Sequence, residues 1–122
     1  MLKKLLLMLS LLMVLPSFAG EFEDALKKND NVLLYLYGTS CRYCTEFNPI
    51  YNKMSKLYDK KYAFVKVNID GQYGRKLARE FKVRYVPYVV LVNSKTKNAA
   101  QIAPDCLMNR TCMDTALSKF KG

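Results

Sequence analysis

The chain has 122 residues and a formal charge of +10, with 51% hydrophobic and 25% charged residues. That length fits one small domain and excludes separate cofactor and substrate domains, and the composition excludes a disordered tail or linker. The absence of histidine excludes imidazole bases and imidazole metal ligands, while four cysteines make the redox compartment the next question.

Residues 1–19 answer it. Lys3 and Lys4 form a basic start, residues 5–15 are apolar except Ser10, Pro16 breaks the run, and Ser17-Phe18-Ala19 offers small residues at both ends of a cleavage triplet. This is the three-part pattern of a secretory signal, and its apolar run is too short for a membrane span of about 20 residues. Cleavage near Ala19 predicts a mature domain over residues 20–122, with 18 basic against 10 acidic residues and a net charge of +8. The positive charges are scattered rather than clustered, which predicts a solvated surface, no nucleic-acid partner and weak attraction to acidic partners.

Residues 22–28 read as a short helix, with Phe22 and Leu26 four apart, and Asn29-Asp30-Asn31 stops it. The continuous apolar run 32–37 predicts a strand buried on both faces. Gly38-Thr39-Ser40 is a turn, and a helix follows over 41–59. Its apolar stripe is Phe47, Ile50, Tyr51, Met54, Leu57 and Tyr58, and Pro49 is expected to interrupt and kink it. Residues 62–69 predict a second strand. Residues 73–81 predict a helix with Leu77 and Phe81 inward. Pro87 ends a connection over 83–86, and 88–92 form a third apolar strand. A polar turn over 93–98 leads to a short edge strand at 99–102. A final helix over 111–120 carries Leu117 and Phe120. This alternation predicts an α/β fold, a central mixed sheet with helices on both faces, whose first two strands are parallel.

The chemistry concentrates in Cys41-Arg42-Tyr43-Cys44, which follows a buried strand and a turn and opens a helix. Free N–H groups and aligned peptide dipoles at a helix start stabilise a thiolate. Cys41 then becomes the attacking thiol, and Cys44, one turn deeper, resolves the mixed disulfide. Arg42 adds positive charge, and Tyr43 is placed to touch a partner. On spacing alone two other readings stay open. One is a structural disulfide. The other is a zinc site completed by Cys106 and Cys112, although five intervening residues make a loose ligand pair.

Taken together, three segments resemble the thioredoxin-like superfamily, and more closely the exported bacterial thiol–disulfide oxidoreductases. They are the strand 32–37 leading into Cys41-Arg42-Tyr43-Cys44, the segment Phe64-Val65-Lys66-Val67-Asn68-Ile69-Asp70, and the segment 81–92 around Val86-Pro87. The resemblance covers nearly all of residues 22–120. It implies that Pro87 is cis, that Val86-Pro87 faces the cysteine pair, and that the Val86 backbone pairs with an extended substrate. The departures are Ser40 before Cys41, Arg42-Tyr43 between the cysteines, and Tyr35 where the family places a buried acid. The Tyr35 hydroxyl, Glu46, water or a nearby lysine is then the substitute for that acid. The family's usual first strand is also reduced or missing.

Cys106 and Cys112 flank the start of the last helix. In an exported protein they predict a structural bridge, with a second redox pair or free thiols as the alternatives. The resulting expectation is a periplasmic, monomeric protein-disulfide oxidoreductase without metal or cofactor, leaning towards reductase. Its partners are protein thiols or disulfides and a redox partner, either a membrane protein or a soluble one, that resets the pair. The competing expectation is a non-catalytic binding or assembly protein whose disulfide is structural.

Overall fold

The computed structural model describes residues 20–122, so the expected leader, with its cleavage near Ala19, lies outside the described residues. Among the described residues no helix is long and apolar enough to cross a membrane.

The chain begins with α1 (Glu21–Lys28), whose acids lie in the first turn and lysines in the last, as the helix dipole favours. It leads directly into β1 (Asn31–Tyr37). Residues 32–36 of that strand are entirely buried, as its unbroken apolar run predicts. Next come α2 (Arg42–Leu57), β2 (Ala63–Asn68) and α3 (Gln72–Glu80). After β3 (Tyr88–Asn93) and β4 (Ala99–Gln101) stand two more helices, α4 (Pro104–Leu107) and α5 (Arg110–Lys119). The sheet order is β2-β1-β3-β4. β1 runs parallel to β2, with Tyr35 opposite Lys66, and antiparallel to β3, with Leu36 opposite Tyr88.

Side chains alternate across β1, so the sheet sorts its residues into two cores. Leu33 and Tyr35 meet Phe47, Tyr51 and Met54 of α2 and Met113 and Leu117 of α5. Val32, Leu34 and Leu36 meet Phe22 of α1 and Leu77 of α3 on the other face. This is the mixed sheet flanked by helices on both faces that the element order predicts.

Two expectations need correction. Pro49 does not interrupt α2, which continues through it. The helix is held from both sides of the proline by buried Phe47, Tyr51 and Met54, and exposed Pro49 leaves the Thr45 carbonyl without its usual partner on the solvent side. Leu57 is not part of the buried stripe but 57% exposed. At 100° per residue it points about 80° away from the Phe47 direction, whereas Tyr51 and Met54 stay within about 40° of it. The expected final helix is present as α5, and a short helix the sequence did not reveal, α4, precedes it. α4 is too short to show a periodic pattern, and its one sequence signal is Pro104 at the first helical position.

Candidate active site

The turn that precedes the cysteine pair is tied to the end of β2. The Thr39 N–H donates to the Asp70 carboxylate at 2.8 Å, and Asn68 Nδ2 donates to Thr39 Oγ1 at 3.1 Å. The Thr39 N–H, followed by its hydroxyl, holds the Asp70 carboxyl below its ordinary range. Gly38 lies between the two halves of the site. A Cβ there would sit 3.5 Å from Val86 Cγ2 and 3.8 Å from Cys41 Cβ.

Cys41 is the N-cap of α2, and its Sγ accepts the Cys44 N–H at 3.1 Å. Cys41 and Cys44 are joined in a disulfide with Cα atoms 5.2 Å apart, inside the range such bonds require. Cys41 is part-exposed and Cys44 is 2% exposed. The first turn of α2 contains no acid, so the helix N-terminus acts on Cys41 without opposing charge from its own turn. The second pair, Cys106 and Cys112, also forms a disulfide, joining α4 to α5. All four sulfurs are therefore engaged in pairs rather than in one tetrahedral cluster.

The residues around the pair divide sharply. The Val86–Pro87 peptide is cis, and Val86 lies just before the first ladder residue, Tyr88. Tyr43, Val86 and Pro87 line a common groove of about 520 Å3 beside the disulfide. Arg42 does not line it. Its side chain is 87% exposed and its Nε lies 3.5 Å from Glu46 Oε1 one turn along the helix. That ion pair engages two of the charges the sequence placed near Cys41.

Tyr35 fills the position under Cys44. It is fully buried, in edge contact with Phe47 at 5.0 Å and tilted against Tyr51 at 5.0 Å. Its hydroxyl lies 2.9 Å from Asn48 Oδ1 and 3.3 Å from the Cys44 carbonyl. A phenol has one proton to donate, and the shorter bond favours Asn48. Burial, then the neighbouring Tyr37, pushes the Tyr35 hydroxyl up to about 12 from its ordinary 10.0. Lys66 lies over this aromatic group, with Nζ 4.8 Å from the Tyr37 ring and 5.6 Å from that of Tyr35. Asn48 is a site residue that sequence reasoning missed. Its signal was the spacing of thirteen residues from Tyr35 across a strand and a helix turn, which nothing local identifies.

The groove has a second wall that the sequence also concealed. Pro104, Asp105, Leu107 and Met108 bring α4 against the side formed by Tyr43 and residues 85–87. Leu107 anchors this wall in the core at 1% exposure, and the Cys106–Cys112 disulfide fixes it to α5.

A family model described as Thioredoxin matches residues 13–107. Thioredoxin 2 of Plasmodium falciparum (isolate 3D7) is 33% identical over 69 residues, covering 57% of this chain and 43% of that protein. A protein disulfide-isomerase of Triticum aestivum is 28% identical over 88 residues, covering 70% of this chain and 17% of that protein. The chain thus spans less than half the length of either curated relative. Among solved structures, mitochondrial thioredoxin 3 from Saccharomyces cerevisiae in its oxidised form superposes with a TM-score of 0.68. It shares 25% identity, over 82% of this chain and 88% of that one.

Proposed function

The chain belongs to the thioredoxin family, and from that premise we propose that it reduces disulfides in protein clients through Cys41 and Cys44. The observation that carries this reading is the asymmetry of the pair. Cys41 is part-exposed at the N-cap of a 16-residue helix, and Cys44 is buried behind it.

In the dithiol form the Cys41 thiolate attacks one sulfur of a client disulfide. The client's other sulfur leaves as a thiolate and takes up a proton, and Cys41 is joined to the client in a mixed disulfide. Cys44 then loses its proton and attacks Cys41 Sγ. The Cys41–Cys44 disulfide forms, the second client thiol departs, and two electrons have passed to the client. A dithiol partner, soluble or membrane-bound, must return those electrons for another cycle. The Cys44 N–H aimed at Cys41 Sγ stabilises negative charge there in the free thiolate that attacks the client.

Tyr35 is not the proton acceptor in this scheme. Its phenol is neutral at working pH, and its partner Asn48 has an amide that accepts no proton. The proton of Cys44 therefore passes to water or to the departing client thiolate. Val86 and Pro87 hold the client segment, and Tyr43 packs on its side chains.

The compartment in this reading is the periplasm, with residues 1–19 removed on export and the domain acting as a monomer. The family match begins at residue 13, inside that leader, so N-terminal sequencing of the protein from the exported fraction checks the cleavage. Chemistry is tested with the Cys44→Ala variant. It should accumulate mixed disulfides with client proteins, and Cys41→Ala should accumulate none. Equal trapping by both variants, or none by either, would sink catalysis. A reduction potential near −270 mV rather than about −120 mV supports the reductase direction.

A further inference from the structure

The structure points to a client preference built into the wall formed by α4. We propose that the groove selects disulfide-bearing segments with an apolar side chain next to an arginine or lysine, and that Asp105 reads the positive charge. This rests on the exchange reading above and adds the chemistry of the client to it.

Four large apolar side chains are exposed among the described residues, and three of them, Tyr43, Tyr85 and Met108, lie in this one groove. Such convergence beside a reactive disulfide marks a contact surface rather than scattered exposure. A volume of about 520 Å3 falls within the range of clefts that bind ligands of a few side chains. The walls are firm. Gln101 Nε2 donates to the Tyr85 hydroxyl at 3.1 Å, and α4 is fixed by buried Leu107 and the Cys106–Cys112 disulfide.

Asp105 is the one charged group lining the groove. Among the described residues no cation pairs with it, whereas Arg42, at the near end of α2, is taken by Glu46. The domain as a whole is basic, and its distant field favours acidic clients. That field is screened beyond about 8 Å at physiological salt, so a client seated in the groove responds first to the charge in contact with it. An apolar lining with a single unpaired carboxylate complements an apolar residue beside a cation.

The test uses the reduced full-length domain and blocked hexapeptides, each carrying one cysteine in mixed disulfide with mercaptoethanol. The cysteine is flanked by leucine and arginine, by leucine and glutamate, or by glycine and arginine. The rate constant for disulfide cleavage should be about two- to fivefold higher with arginine than with glutamate at low salt, and nearly equal at 0.5 M salt. Replacing leucine by glycine should lower it about tenfold. Asp105→Lys should reverse the arginine–glutamate order, and Asp105→Asn should abolish it. Equal rates for the two charges, or an order that survives in Asp105→Lys, would overturn the selectivity. Hydroxyethyl disulfide separates the two levels. If the parent protein cleaves it but treats the peptides alike, the selectivity alone is wrong. If the parent protein cleaves neither, the exchange reading fails and the selectivity with it.

Discussion

Replacing Tyr35 with phenylalanine asks whether the phenol takes any part in moving the Cys44 proton. The ring is fully buried, and its contacts with Phe47 and Tyr51 survive the change. What is lost is the hydroxyl, with its 2.9 Å bond to Asn48 Oδ1. One hydrogen bond contributes about 0.5–1.5 kcal/mol net. In a domain of this size that lowers the melting temperature by roughly 4–8 °C per kcal/mol. The kinetic expectation is different. With its hydroxyl pushed up to about 12, only on the order of one molecule in 10^5 carries an ionised Tyr35 at pH 7. Resolution of a preformed Cys41 mixed disulfide by Cys44, followed by stopped flow between pH 5.5 and 8.5, should therefore stay within about twofold of the parent. A tenfold slowing in a variant that circular dichroism shows to be fully folded under the assay conditions would refute the argument and make Tyr35 a participant in proton transfer. The alkaline limb supplies a second readout. Because the folded value lies above the ordinary 10.0, the phenol's contribution is complete below pH 10 and is lost as pH rises towards 12. The Phe variant should lack that share of the parent's alkaline destabilisation.

Gly74→Ala should destabilise the domain by about 1–3 kcal/mol in urea unfolding, because a Cβ there would run into the backbone of Asn68 and Ile69. The double variant Cys106→Ala, Cys112→Ala should lose about 2 kcal/mol, the chain-entropy value for a loop closed at a sequence separation of 6. An unchanged urea midpoint would show that α4 is held by Leu107 alone. Asp70, whose carboxyl is held low by Thr39, contributes stability that is complete above pH 3.8 and is lost as pH falls further. The parent should accordingly weaken more steeply below pH 4 than Asp70→Asn, measured by urea midpoints across the acid range.

Most of the fold was legible because its signals are local. The apolar run at 32–37, the helical stripe of Phe47, Tyr51 and Met54, and the polar turns place the strands and long helices to within a few residues. The errors fell where burial is decided by geometry at a distance. Leu57 satisfies a loose three–four spacing yet points away from the sheet, and α4 exists because Leu107 reaches the core and Cys106 is tethered to Cys112. Of the site, the cysteine pair and the cis Val86–Pro87 bond were expected, while Asn48 beneath Tyr35 and the α4 wall were not.

The sequence by itself determined the redox pair, since two cysteines three residues apart at a helix start are brought together by the first turn of that helix and need no other part of the chain. It also determined the sheet's buried centre, since a run of five apolar residues in β1 is stable only when both faces are covered. The surroundings of the pair were decided by tertiary structure alone. Val86 comes up against Gly38, three residues before Cys41, because β3 pairs antiparallel with β1, and Asp105 and Met108 share a groove with Tyr43 because a disulfide and one buried leucine hold a four-residue helix there. Those contacts join residues more than forty positions apart, and the loop-closure cost of such contacts is offset only by the packing of the whole core, which no local pattern encodes.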